Sequence, residues 1–430
     1  MLVVFCFFVW LDDGVPDMCF GTAGTAVANL GGLGFANDVI QDAAGGLVVV
    51  GSLSNGSDHD GFAVRFFADG TRDMSFGQSG IVLFDGGEGD DYFFGCTQVS
   101  GNKLLLVGSD IVPAARRILL MRVDASGQPD PTFGTNGVVT HLLSGLSNSG
   151  YEAGELLDGR FYVTGFFSST HFVARFMPDG SLDTSFNSGS GFNSHQWGDV
   201  DYPAGGRLQD DGSIVVCGFA SISGTHYVTS SRFLSSGPLD PTYGTAGATQ
   251  HNWTIDDRTK SMAIDEQGRI VSAGYSYYGG YHVALSRYDA DGALEMGFGT
   301  AGRAHTTLGT GMFGDDLQIQ ADGKLIVTGM ATTATVYHAS VLRFLANGAV
   351  DSTFASGGLM LDSPNFYSMT VAVTLQNDGR VVLATFADRT THFELTLVRL
   401  DNTSLTLFQL MDSWAVNLTI LDLVAPFVCP

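Results

Sequence analysis

An arginine and an acid eight residues downstream recur six times along the chain: Arg65/Asp73, Arg122/Asp130, Arg175/Asp183, Arg232/Asp240, Arg287/Glu295 and Arg343/Asp351. Each pair sits in the same phrase. An apolar strand leads to the Arg, then come an aromatic or aliphatic residue, a D-G-like turn, the acid, two residues, and Phe or Tyr. VRFFADGTRDMSFG (64–77), ARFMPDGSLDTSFN (174–187) and LRFLANGAVDSTFA (342–355) show it. A seventh arginine, Arg399, keeps the period but has Leu407 where the acid would stand. At the other end, FVWLDDGVPDMCFG (8–21) keeps Asp17, Phe20 and Gly21 but carries Val9 in place of Arg. Each end holds half of a pair, which predicts that Asp17 meets Arg399 and latches a ring.

Between copies lies a hairpin signature, as in LQIQADGKLIVTG (317–329), AIDEQGRIVSAG (263–274) and TLQNDGRVVLAT (374–385). Alternation of apolar and polar residues around D-G, Q-G or N-D-G is a hairpin signal. A short strand follows each F-G, such as GIVLFD (80–85). The unit therefore reads as a short first strand, two hairpin strands and the Arg-bearing fourth. Four short antiparallel strands in a period of 53–57 residues is the pattern of propeller blades. The expected fold is all-β: a seven-bladed β-propeller of four-stranded antiparallel blades, its ring closed by the chain termini. Residues 1–19 are expected to supply the N-terminal repeat strand that closes the ring, 20–400 the propeller, and 401–430 a C-terminal extension that leaves the pattern.

Composition excludes some functions. The net charge is −24, and only three lysines are present (Lys103, Lys260, Lys324). No basic stripe exists to meet phosphates, so nucleic acid is not an expected partner. Cations and basic partners are favoured instead. No apolar run is long enough to span a bilayer as a helix. The five cysteines share no repeat position and no metal-ligand spacing, and are expected to be core thiols.

These phrases resemble the delta-60 repeat family of bacterial, mostly secreted or surface-linked proteins. That family's repeat runs L-Q-x-D-G-K-I-x-V-x-G, a variable stretch, then A-x-x-R-x-x-x-D-G-x-x-D-x-x-F-G-x-x-G. The resemblance covers about residues 15–400. It departs at Ser235-Ser236-Gly237, which replaces the usual turn, and at Tyr243, which replaces Phe. It implies a β-propeller at an extracellular or cell-surface location, of unknown biochemical role, and it carries over no catalytic residue.

The repeated Arg and acid are expected to be scaffold, the acid accepting backbone N–H groups and the Arg closing a charge-assisted pair. The Phe/Tyr set is expected to pack between blades. Histidine carries more information. His141, His195, His251 and His305 follow the repeat glycine by three or four residues; His59, His171, His226, His282, His338 and His392 lie in or beside the loop before the Arg strand. In an antiparallel meander these positions share one face with the acid-rich loops that hold Asp91, Asp199, Asp257 and Asp316, and with Tyr278 in GYSYYGGYH (274–282). The opposite face has short, uniform turns. Variable loops on a rigid scaffold are where binding usually resides. The expected function is therefore a non-enzymatic binding or adhesion module for a protein or glycan ligand. No cofactor is expected beyond a divalent cation, which His and carboxylates would suit. One alternative is a structural surface protein that self-associates through its terminal extensions. Another is a metal-dependent propeller hydrolase or lyase, with His141, His195 and His251 near the channel. No nucleophile elbow, HExxH, phosphate loop or dinucleotide fingerprint stands in context.

Overall fold

The computed structural model describes residues 14–400, apart from 88, 307, 309–310, 334–335, 362–367 and 389–392. Seven four-stranded antiparallel sheets follow one another along the chain as propeller blades. Blade 1 comprises Gly34–Gln41, Leu47–Ser54, His59–Phe66 and Ile81–Phe84. Blades 2 to 6 repeat this order over 91–141, 148–195, 200–251, 257–305 and 312–361. Blade 7 takes three strands from Ser368–Leu375, Val381–Asp388 and Phe393–Leu400, and its fourth from Thr25–Ala28 near the start of the chain.

The phase of the unit differs from the expected one. The short strand after F-G pairs with the Arg strand that precedes it, as Ile81–Phe84 does with His59–Phe66. It is therefore the fourth strand of the preceding sheet, and the Arg strand is the third. The reason is local: F-G turns the chain back on itself, because Gly77 adopts φ +61° and a Cβ there would lie 2.2 Å from the Ile81 carbonyl oxygen. The acid-rich loops consequently connect blades instead of lying within them. They still lie on the same face as the loops between second and third strands.

Second strands such as LVVVGSLS (47–54) are apolar on both faces because each sheet is packed between two neighbours. The buried core divides accordingly. Phe20 packs with residues of blades 7 and 1, Phe76 with blades 1 and 2, Phe133 with blades 2 and 3, and Phe298 with blades 5 and 6. All seven repeat aromatics (Phe20, Phe76, Phe133, Phe186, Tyr243, Phe298, Phe354) are fully buried, as inter-blade packing requires.

The Arg–acid pair is the staple between blades. Nε of Arg122, Arg175, Arg232 and Arg343 donates to the paired Asp at 2.6–2.8 Å, and Arg287 donates to Glu295 at 2.5 Å. Nη1 then reaches a turn carbonyl of the next blade: Arg122 to Pro178, Arg175 to Ser235, Arg232 to Ala290 and Arg287 to Ala346. The guanidinium also lies over the repeat ring, at 4.5 Å for Arg122 over Phe133. The acid's other oxygen accepts the N–H and hydroxyl of the Ser or Thr two residues on, as Asp130 does from Thr132. Burial works to raise Asp130 and Asp183, but hydrogen bonds from Lys103, Thr132 and Arg122, and from Ser185, Arg175 and Arg160, hold both well below the usual carboxylate range.

A second cation was not anticipated. The basic residue after the hairpin turn also approaches the repeat acid, as Lys103 does Asp130 (2.7 Å) and Arg160 does Asp183 (2.9 Å). Blade 1 has Gly46 in that place, and there Arg65 turns to bond Asp42 at 2.6 Å as well as Asp73 at 2.8 Å.

Candidate functional site

The first strand of every blade carries a bulge at the same place, between Ala36 and Asp38, Phe93 and Gly95, Gly150 and Glu152, Pro203 and Gly205, Thr259 and Ser261, Gly314 and Asp316, and Thr370 and Ala372. A bulge re-aims side chains, and here the re-aimed positions surround the axis.

Aromatic residues gather at and just above this level, on the face of the inter-blade loops. Their ring centroids form a continuous path: Phe35 to His59 (6.4 Å), His59 to Tyr92 (5.9 Å), Tyr92 to Phe94 (5.6 Å), Phe94 to Tyr151 (5.2 Å) and Tyr151 to Phe166 (5.6 Å). Tyr202 stacks on Phe219 at 4.5 Å, and Tyr275, Tyr281 and Phe313 pack together. The Arg258 guanidinium lies between Phe219 and Tyr275, at 5.5 and 5.8 Å from their centroids. Phe35, Asn37, His59, Tyr92, Phe94 and Met369 line a cavity of about 410 Å³ at this mouth.

Beside the belt, at the bulges, charged groups from different blades come near enough to act on one another: Asp38, Arg207 and Asp316. Asp38 accepts the Cys96 N–H (2.9 Å), Glu152 the Gly206 N–H (2.8 Å) and Asp316 the Val373 N–H (2.8 Å). Each carboxylate thus reaches from one blade to the next, where Gly95, Gly205 or Ala372 leaves room; a Cβ on Gly205 would lie 2.6 Å from Glu152 Oε2. Arg207 pairs with Glu152. Burial pushes Asp38 up to about 6, and it raises Asp316 and lowers Arg207. Burial likewise raises Asp315 to about 6, against the opposing charge of Lys260.

The residues singled out from sequence fall into separate groups. His59 and His226 stand at the mouth, His59 bonding Asp90 (3.0 Å) and His226 bonding Asp256 (2.7 Å) through Nδ1. Tyr278 is exposed and stacks on His305 at 6.0 Å. His195 and His251 line a groove of about 590 Å³ beside Trp197, along the outer strand of blade 4 and away from the mouth aromatics. His141 packs edge-on against Phe176 at 6.0 Å. Burial lowers the pKa of His141, His195, His251 and His305. His282 is partly buried on its strand, and Asp199 accepts the Ser223 N–H at 2.8 Å.

Five residues are placed otherwise than a solvent-facing rim requires. His171 is fully buried, 3.7 Å from the Trp197 ring and 3.0 Å from Asp201, and burial pushes it down to about 4. His338 is also buried. Asp91 and Asp257 are buried because they fold the inter-blade loop: Asp91 accepts the Gly86 N–H, and Asp257 those of Trp253 and Thr254. Asp201 and Asn148 hold the same place three residues before the bulge and do the same work. Asn serves there too, so the position needs an acceptor and not a charge. Asp316 belongs to the channel. His392 lies outside the described residues.

Among the cysteines, Cys96 and Cys217 are buried thiols and Cys19 is disulfide-bonded, a pairing that the spacing of the cysteines did not signal. Among the described residues, no helix is long and apolar enough to cross a membrane.

No curated protein matches the sequence. Among solved structures the chain is similar to Sqt1 from Chaetomium thermophilum (TM-score 0.48, 11% identity, covering 87% of this chain and 97% of that one). It is similar to the polysaccharide lyase Uly1 (TM-score 0.48, 9% identity, 89% and 92%). It is also similar to the β-propeller domain of the Trilobed protease from Pyrococcus furiosus (TM-score 0.42, 12% identity, 86% and 96%). The family model of a β-propeller domain of unknown function, DUF5122, matches residues 157–186, 268–298 and 320–354. Each segment runs from a hairpin turn through the Arg strand to the repeat Phe, and together they mark the chain as a β-propeller repeat protein.

Proposed function

We propose that the protein is a non-enzymatic, extracytoplasmic binding module that takes a glycan at the aromatic mouth of its channel. The carrying observation is the unbroken path of ring contacts from Phe35 to Phe166 on the loop face. Aromatic faces with polar tips match the alternating C–H and hydroxyl surfaces of a sugar ring. Arg258 and the Tyr92 and Tyr202 hydroxyls supply hydrogen-bonding groups beside those faces. Phe35, Tyr92, Phe94, Tyr151 and Tyr202 sit on first strands fixed on both sides by neighbouring blades, so little ordering would accompany binding. An extracytoplasmic location is supported by the disulfide at Cys19 and by the resemblance to delta-60 repeats.

The test is a glycan array probed with the full chain at about pH 5 and about pH 7.5, followed by titration calorimetry on any hit. Binding is expected, with Tyr92→Ala and Tyr202→Ala each weakening it by roughly tenfold or more. Binding of basic peptides but no glycan would replace the ligand class. Silence on the array, or variants that bind as the wild type does, would overturn the reading.

A further inference from the structure

One cluster on the loop face lies outside the aromatic mouth, and two of its three acids lie outside the repeat scaffold. Carboxylate oxygens of Asp60, Asp85 and Asp91 lie within 4.8 Å of one another at the junction of blades 1 and 2. Asp60 lies beside His59 on one strand, so the two side chains leave opposite faces of the sheet. His59 faces the mouth and Asp60 the cluster. Asp110 lies behind Asp91, and a Cβ built on Gly86 would meet Asp110 Oδ1 at 2.9 Å and the two Asp91 oxygens at 3.1 and 3.2 Å. These oxygens therefore converge on one small volume.

A second observation separates this group from an ordinary acidic patch. Asp91 is 0% exposed and Asp110 1%, yet Oδ1 of each accepts from no N–H or hydroxyl among the described residues; there the two carboxyls have only each other, a contact they can make only by sharing a proton or a cation. Buried carboxylate oxygens are normally paired, because leaving one unpaired forfeits its hydration. Among the described residues, the one cation bonded to the group is Arg117, which pairs with the other oxygen of Asp110. Asp91 Oδ2 holds the Gly86 N–H, as its counterparts in blades 4 and 5 hold theirs, but the place of Asp60 carries an acid again only in blade 7, at Glu394, and that of Asp85 carries none in blades 2 to 4. Arg117, Thr170 and Tyr227 occupy the place of Asp60 in blades 2 to 4, and Leu142, Gln196 and Asn252 that of Asp85. The repeat does not need these two acids.

We propose that Asp60, Asp85 and Asp91 bind a divalent cation of the calcium type. The donors are all hard oxygens, and no imidazole or thiolate belongs to the set, which favours calcium over a transition metal. Oxygens within 4.8 Å of one another can share an ion held at about 2.3–2.6 Å from each. The ion would tie the third strand of blade 1 to the first strand of blade 2, beside the mouth. This inference is independent of what the mouth binds.

The experiment uses the full chain stripped with EDTA, with calcium or magnesium chloride as the probe. Calorimetry and thermal unfolding are the two readouts. One saturable calcium site with a sub-millimolar dissociation constant is expected, with a rise in melting temperature and magnesium at least roughly tenfold weaker. Asp85→Asn is the first variant, because Asp85 is exposed and, among the described residues, accepts a hydrogen bond from the Gly87 N–H alone. It should melt like the stripped wild type and lose at least roughly tenfold in calcium affinity. Asp60→Asn should lose affinity likewise. No saturable calcium binding by the wild type, or wild-type affinity in both variants, would overturn the proposal. Magnesium binding as tightly as calcium would overturn the ion type.

Discussion

Arg399 donates to Asp17 Oδ2 from both Nε (3.0 Å) and Nη2 (2.7 Å), across 382 positions of sequence. The guanidinium lies 4.7 Å over Phe20, and its Nη1 reaches the Ala68 carbonyl of blade 1 at 2.7 Å. This is the same set of contacts that Arg122, Arg175 and Arg232 make within a single stretch of chain. Here it holds Thr25–Ala28 in blade 7, where the backbone pairing Pro16↔Leu400 extends it. Removing one member of a buried pair strands the other, so Arg399→Ala and Asp17→Ala should each lower the unfolding free energy by about 3 kcal/mol. The double variant should lose clearly less than the sum. Urea titrations of the three variants check this, and additive losses would refute the coupling.

The repeat made the architecture legible because its spacing is dictated by contacts that every blade must make. Arg, acid and aromatic ring form one buried unit, so none of the three drifts relative to the others. The phase was not legible: a short strand between two turns can pair forward or backward, and only the tight geometry at Gly77 decides. The mouth was not legible either. Phe35, Tyr92, Tyr151 and Tyr202 are brought together by a bulge, which adds a residue without any mark in the apolar alternation. Aligning the hairpins on their turns would have exposed the channel carboxylates, since Asp38, Glu152 and Asp316 share one register. Histidine misled in part, because His171 answers to Trp197 and Asp201 inside the core.

Two buried groups of opposite sign shape the pH dependence of stability. His171 is pushed down to about 4 in the folded chain, from an ordinary value of about 6.5. Its contribution is complete above about 6.5 and is lost as pH falls towards about 4, amounting to about 3 kcal/mol at most. Asp38 is pushed up to about 6 from an ordinary value of about 4. Its contribution is complete below about 4 and is lost as pH rises through about 6. Asp38→Asn keeps an acceptor for the Cys96 N–H while removing the charge. It should therefore gain stability relative to the wild type above about pH 6 and little at about pH 4. His171→Gln should show the opposite trend, its deficit shrinking as pH falls below about 6. Urea midpoints across this range check both, and a pH-independent difference for Asp38→Asn would discard the assignment.

Blade 5 departs from the staple in a way that can be repaired. Glu295 replaces the Asp, and Gly297 stands where Ser75, Thr132, Ser185, Thr242 and Thr353 occupy the same place in other blades. The longer acid takes Arg287 through both oxygens, at 2.5 and 3.0 Å. With Gly297 in place, no hydroxyl stands two residues on to do what Thr132 does for Asp130. A Cβ on Gly297 meets nothing within 4 Å and its backbone is not left-handed, so a side chain fits there without strain. Glu295→Asp alone shortens the reach to Arg287 and should be neutral or slightly destabilising. Glu295→Asp with Gly297→Thr restores the turn and reduces the freedom of the unfolded chain, and should stabilise by about 1 kcal/mol. Thermal and urea unfolding of both variants test this. A double variant no more stable than Glu295→Asp would show that the hydroxyl adds nothing to the staple.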